Sequence, residues 1–236
     1  MDEGWHTYWR NPGDSGLATT IEWNLPEGLK AGEIEWPYPA KVNIPPFVVF
    51  GYDREVFLLT KMDAASSLTE GAEKTIQAKI VWLSCKEICV PGEADLSLTL
   101  PVLNQEPKLD EKWAEPFADT RAKLPVHAKE WNMTAVKVRN KIIFYVENQA
   151  NADFNPQAIE FFPYEPGLID YSKPMKIKPA KNGFELNLPL TPIQNKIPSK
   201  LQGVLVCEKG RRGEQSGQAI LVDIPIEKKS GFFNFS

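Results

Sequence analysis

Two of the three cysteines in this 236-residue chain, Cys85 and Cys89, stand four positions apart in "LSCKEICVPGEADL". Thiols at that spacing have three chemistries open to them. They can staple the fold as a disulfide, trade disulfides with another protein, or clamp a soft metal. Four residues of extended strand span ~13 Å, whereas a disulfide needs Cα atoms within about 7 Å. Pairing therefore requires the chain to fold back between the two cysteines. Strand-like "IVWLS" precedes them, "ADLSLTL" follows, and Pro91-Gly92 is a turn signal between. The pair is thus expected in a tight connection at a sheet edge or tip, on the surface, where function concentrates.

A disulfide closing so small a ring gains little loop entropy, less than the ~3 kcal/mol of a loop of about 15 residues. Short rings are prone to strain, and strained, exposed disulfides are the reducible ones. That favours a reversible redox couple over a staple. Two thiolates can also hold Cu(I) in linear geometry or supply half of a zinc site. The other half of a zinc site is missing: the chain has no further close cysteine pair and no H-x-x-x-H. Lys86 would lower a neighbouring thiol pKa, while Glu87 and Glu93 would raise it. The only histidines, His6 and His127, lie far away in sequence, so no histidine is expected beside the pair as a base. Exchange driven by an incoming thiolate suits these residues better than hydrolysis.

Other reactive or aromatic residues have plainer readings. "WHTYWRNPGDSG" reads as a strand feeding a turn at Asn11-Pro12-Gly13, with its aromatics in the core. A ligand site at Trp5, Trp9 and Arg10, or copper ligation by His6 or His127, ranks below that. Cys207, ending the apolar "GVLVC", reads as a small buried hydrophobe, with a free reactive thiol as the alternative. "EKGRRGE" reads as a charged hairpin tip. "KKSGFFNFS" reads either as the approach to a membrane segment or as an effect of truncation.

The elements that must position the pair are strands. "KTIQAKIVWL" and "ADLSLTLPV" alternate, with Leu96, Leu98 and Leu100 on one side. "REVFLLTKM", "NKIIFYVEN", "QAIEFFPY", "GFELNLPL", "LQGVLVCE" and "QAILVDIPI" are short and rich in β-branched or aromatic residues. Many short strands argue for β-sandwich architecture. "EPKLDEKWAEPFADTRAKLP" differs: Leu109, Trp113 and Phe117 form a helical stripe, with acids early and bases late. Pro116 is expected to kink or interrupt that helix. The prediction is all-β: a first domain over 1–103, a linker with a short helix over 104–128, and a second β-sandwich domain over 129–236.

The totals fit this. Apolar residues make up 42% of the chain, enough for two cores. The formal charge of −4 and a pI near 5.4 argue against a nucleic-acid partner. No apolar run approaches the ~20 residues that cross a bilayer. The chain opens as the interior of a domain would, so a first strand or a signal upstream is expected.

At the cysteine loop the sequence resembles a known family. "WLSCKEICVPGEADLSLTLPV", "GWHTYWRNPGDSGLATTIEWNLPEG" and "FGYDREVFLL" are similar to the periplasmic N-terminal region of the DsbD/ScsB thiol–disulfide interchange proteins. The resemblance covers residues ~4–103, and three residues between the cysteines fit the ScsB-like branch, which is associated with copper tolerance. It implies that the sandwiches are immunoglobulin-like and that the chain is a protein-disulfide reductase module of a larger inner-membrane protein. Electrons would reach the pair from that protein's membrane segment and pass to periplasmic partners, thioredoxin-like or disulfide isomerase-like. Cys89 would form the mixed disulfide and Cys85 would resolve it. A mobile aromatic loop would shield the pair, and "PPFVVFGY" lies in the matching place, with Phe50 the first candidate and Phe47 the second. No cofactor or metal is expected; the alternative is a Cu(I)-binding, copper-tolerance module using the same two thiols.

Overall fold

A computed structural model describes residues 1–148, 159–180, 182–192, 197–207 and 219–228. The first strands are β1 (Thr7–Gly13), β2 (Thr20–Asn24), β3 (Leu29–Glu35), β4 (Ala40–Ile44) and β5 (Phe47–Tyr52). Then come β6 (Leu59–Ala64), β7 (Glu73–Cys85), β8 (Cys89–Pro101) and the helix α1 (Glu111–Ala122). The remaining strands are β9 (Trp131–Val138), β10 (Lys141–Asn148), β11 (Ile159–Pro163), β12 (Lys176–Ala180), β13 (Gly183–Pro189), β14 (Lys200–Cys207) and β15 (Ala219–Lys228). The fold is all-β and immunoglobulin-like, with one short helix among the described residues. Its contacts divide it into two compact units. One holds Met1–Pro12, Gly16–Ala40 and Gly51–Leu124; the other holds Gly13–Ser15, Lys41–Phe50 and Pro125–Ser236.

In the first unit the sheet order is β2-β7-β8, and β3 pairs with β6. β7 and β8 form a long antiparallel hairpin in unbroken register from Glu73↔Pro101 to Cys85↔Cys89. The alternation read from the sequence sets this register: Ile76, Ala78 and Ile80 stand opposite Leu98, Leu96 and Ala94 on one face. Leu96, Leu98 and Leu100 are nevertheless 55%, 56% and 45% exposed, because β8 is the outermost strand of its sheet.

The helix begins where its charges place it. Asp110 caps it by accepting from the Lys112 backbone N–H, with Glu111 in the first turn and Arg121 in the last. Pro116 sits inside the helix without interrupting it, and the Thr120 hydroxyl donates to the Pro116 carbonyl at 2.8 Å. The expected apolar stripe is only partly used. Trp113 meets Phe57 edge-on, ring centroids 6.0 Å apart, but Leu109 lies before the first turn and is 84% exposed.

The second unit carries the larger core. Its strand order is β11-β14-β15-β9-β10-β13-β12. β15 changes partner along its length: Ala219–Pro225 run antiparallel to β14, and Ile226–Lys228 run parallel to β9. Strands that switch partners make the corners of β-sandwiches. Phe144, Leu186, Leu201, Leu205 and Val222, all essentially inaccessible, fill the space enclosed. "EKGRRGE" and all of "KKSGFFNFS" after Lys228 lie outside the described residues.

Candidate functional site: a disulfide at a hairpin tip

Cys85 is the last residue of β7 and Cys89 the first of β8, so the hairpin's register brings them face to face. They are joined by a disulfide, with Cα atoms 4.1 Å apart. The chain folds back over Lys86-Glu87-Ile88, closed by a bond from the Lys86 N–H to the Ile88 carbonyl at 3.1 Å. The two halves of the bond are unequal. Cys85 is 3% exposed, whereas Cys89 is an exposed residue, as are its neighbours Ile88 and Val90. An approaching molecule therefore meets Cys89 first.

The start of the chain pairs with Cys85. His6 and Cys85 form an antiparallel bridge through two backbone bonds, His6 N–H to Cys85 C=O at 3.0 Å and Cys85 N–H to His6 C=O at 2.9 Å. Cys85 thus stands between His6 on one side and Cys89 on the other. Directly opposed residues point to the same face, so all three side chains belong to one row. This overturns the expectation that no histidine lies beside the pair: sequence distance hid a strand pairing. His6 is 3% exposed and its Nε2 is buried without a hydrogen-bond partner. Burial lowers its pKa from the ordinary value of 6.5, which keeps the ring neutral.

Tyr8, two residues along the same strand, completes the site. Its hydroxyl lies 3.9 Å from Cys89 Sγ, and its ring meets the His6 ring edge-on at 5.2 Å. Burial raises the phenol pKa above 10.0, so the hydroxyl keeps its proton and can donate it to sulfur. Gly16, at φ +115°, lets this ring seat: a Cβ there would come within 2.1 Å of Tyr8 Cε1. Lys86, expected to favour a thiolate, has its ammonium on the Glu3 carbonyl at 3.1 Å.

The other residues singled out in the sequence lie as follows. Trp9 and Asn11 are inaccessible, as a strand with its aromatics in the core would have them. "FVVFGY" is strand β5 rather than a loop. Phe50 is 2% exposed, with its ring edge-on to Phe162 and Tyr171, centroids 5.0 Å apart in each case, while Phe47 is 47% exposed. Cys207 has a free thiol whose pKa burial pushes up to about 12, so it is not a nucleophile near neutral pH. Among the described residues, no three His, Cys, Asp or Glu side chains cluster to hold a metal ion. Tyr8 was missed as a site residue. The signal available was the alternation in "HTYW", which puts His6 and Tyr8 on one face, but nothing in the sequence says which strand that face meets.

Residues 1–101 match the family model described as "Thiol:disulfide interchange protein DsbD, N-terminal". The whole chain also resembles a solved structure, the N-terminal periplasmic domain of ScsB from Proteus mirabilis. The TM-score is 0.66 at 19% identity, over 96% of this chain and 84% of that one. No curated protein matches.

Proposed function

We propose that residues 1–101, which match the model of the DsbD N-terminal thiol–disulfide interchange domain, act as such a domain, that Cys85 and Cys89 are its reacting pair, and that the chain reduces other proteins' disulfides. One observation carries the reading: the disulfide has one exposed end and one buried end. Exchange proceeds when a thiolate attacks a disulfide sulfur, and it depends on access. In the reduced protein the Cys89 thiolate attacks the partner's disulfide, joining Cys89 to one partner sulfur and releasing the other as a thiolate. Cys85 then attacks Cys89 Sγ, re-forms the intramolecular bond and releases the second partner thiolate. Two electrons leave the pair and the partner's disulfide becomes two thiols. The electrons return through a membrane segment of the same full-length protein, and the partners are periplasmic, thioredoxin-like or isomerase-like proteins. Among the described residues no helix is long and apolar enough to cross a membrane.

Phe47 and Phe50 are the proposed shield residues. Phe47 is 47% exposed, whereas a shield built on Phe50 requires its packing on Phe162 and Tyr171 to open.

Trapping tests the assignment. Cys85→Ala is expected to accumulate a mixed disulfide at Cys89 with glutathione disulfide or a protein disulfide, and Cys89→Ala to accumulate far less. Equal trapping by both variants would contradict the division of roles. Cu(I) binding by the same two thiols is the competing reading. It predicts stoichiometric Cu(I) uptake by the reduced protein that survives an excess of glutathione.

A further inference from the structure

The imidazole of His6 has no place in the exchange as derived so far. In the disulfide form its Nε2 is buried with no hydrogen-bond partner. Buried polar atoms are nearly always paired, and one left unpaired calls for an explanation, of which a catalytic or redox role is one. The donor it lacks is one that reduction creates. A disulfide sulfur carries no proton, but the reduced Cys85 does, and Cys85 is the residue directly opposite His6. Two mutual backbone bonds at 3.0 and 2.9 Å fix that pairing, with Cα atoms about 5.5 Å apart and side chains on one face.

We infer that His6 is the base for Cys85: its Nε2 takes the thiol proton once the pair is reduced, readying Cys85 to resolve the mixed disulfide. The inference rests on the interchange reading above. The proton and electrons balance within the step. Cys85 S–H gives its proton to His6, leaving a thiolate beside an imidazolium. The thiolate attacks Cys89 Sγ; the Cys85–Cys89 bond forms as the Cys89–partner bond breaks. The departing partner thiolate takes a proton, and His6 returns to the neutral ring. The buried end of the pair needs such a group more than the exposed end does, because burial in apolar surroundings opposes thiolate formation.

The titratable and charged groups on the surrounding elements are few. Tyr8 shares strand β1 and points to Cys89. Cys85 and Lys86 close β7, Cys89 opens β8, Glu87 lies in the loop between, and Asp2 and Glu3 precede His6. Lys86 is engaged by the Glu3 carbonyl. His6 Nε2 has no hydrogen-bond partner among these groups, so the proton's natural source is the thiol.

The test uses the whole 236-residue chain, reduced and mixed with the aromatic disulfide 5,5′-dithiobis(2-nitrobenzoate) in a stopped-flow instrument. The first release of nitrothiobenzoate reports Cys89 attack; the second reports resolution by Cys85. An ordinary thiol of pKa near 8.5 is only about 3% thiolate at pH 7, so His6→Phe and His6→Gln should slow the second phase about tenfold or more. They should also move its pH midpoint up, toward that of a free thiol, with the first phase changed less than twofold. An unchanged second phase with an unchanged pH profile overturns the inference. If the unaltered protein shows no second phase, the interchange reading itself fails, which is a different result. If a variant misfolds, the unaltered protein decides. The His6 protonation midpoint, followed by NMR, should rise by a unit or more on reduction of the disulfide, and an identical midpoint in both states overturns the inference.

Discussion

Cys85 and Cys89 close a small disulfide ring at the hairpin tip, with one end buried and the other exposed. A ring of that size has to sit in a turn, and it does. The inequality between the two was not legible, because it comes from a third strand. Cys85 is buried where its backbone pairs with His6 and Cys89 is left exposed, and that pairing joins residues 79 positions apart. His6 also has a measurable consequence for stability. Its pKa is lowered by burial in the folded state, so between that value and 6.5 the unfolded chain binds more protons than the native one. Stability then rises with pH. The His6 contribution is fully present above pH 6.5 and is lost as the pH falls below it. The melting temperature of the oxidised protein should therefore drop between pH 7.5 and pH 5.5, and His6→Phe should flatten that dependence. Parallel slopes for the two proteins would show that His6 titrates in the fold as it does in the unfolded chain.

The strands the sequence announced best are those with clean alternation and turn residues at their ends. β7, β8, β10, β13, β14 and β15 all lie where their patterns put them, within a few residues. "REVFLLTKM" is strand only from Leu59, and β1 to β5, β9 and β12 carry weaker patterns. β5 is the informative miss. The resemblance implies a mobile loop at "PPFVVFGY", yet Phe47–Tyr52 form a strand. Phe50 is thereby drawn into a packed aromatic cluster with Phe162 and Tyr171. Deleting a buried phenylalanine side chain costs about 3–5 kcal/mol, so Phe50→Ala should lower the unfolding free energy by that order, read by urea denaturation. Phe47→Ala, at an exposed position, should change it by less than about 0.5 kcal/mol. The reverse ranking would mean that Phe50 is not held where its packing puts it.

At the scale of the whole molecule, the all-β reading was secure, since short apolar strands bounded by Pro, Gly and Asn leave little else to build. How the chain divides was harder to read. Contacts place Lys41–Phe50 with the C-terminal unit and α1 with the N-terminal one, and no composition shift marks either assignment. The two units also differ in what they bury. The second has a continuous apolar core, whereas the first leaves Leu96, Leu98, Leu100 and the hairpin tip facing solvent. The central claim, that this tip opens and closes in exchange with other thiols, is tested most directly by the reduction potential of Cys85–Cys89 in glutathione buffers. A potential above about −300 mV is the predicted result, and full reversibility goes with it. A value well below about −300 mV, the range of structural disulfides, would contradict the account.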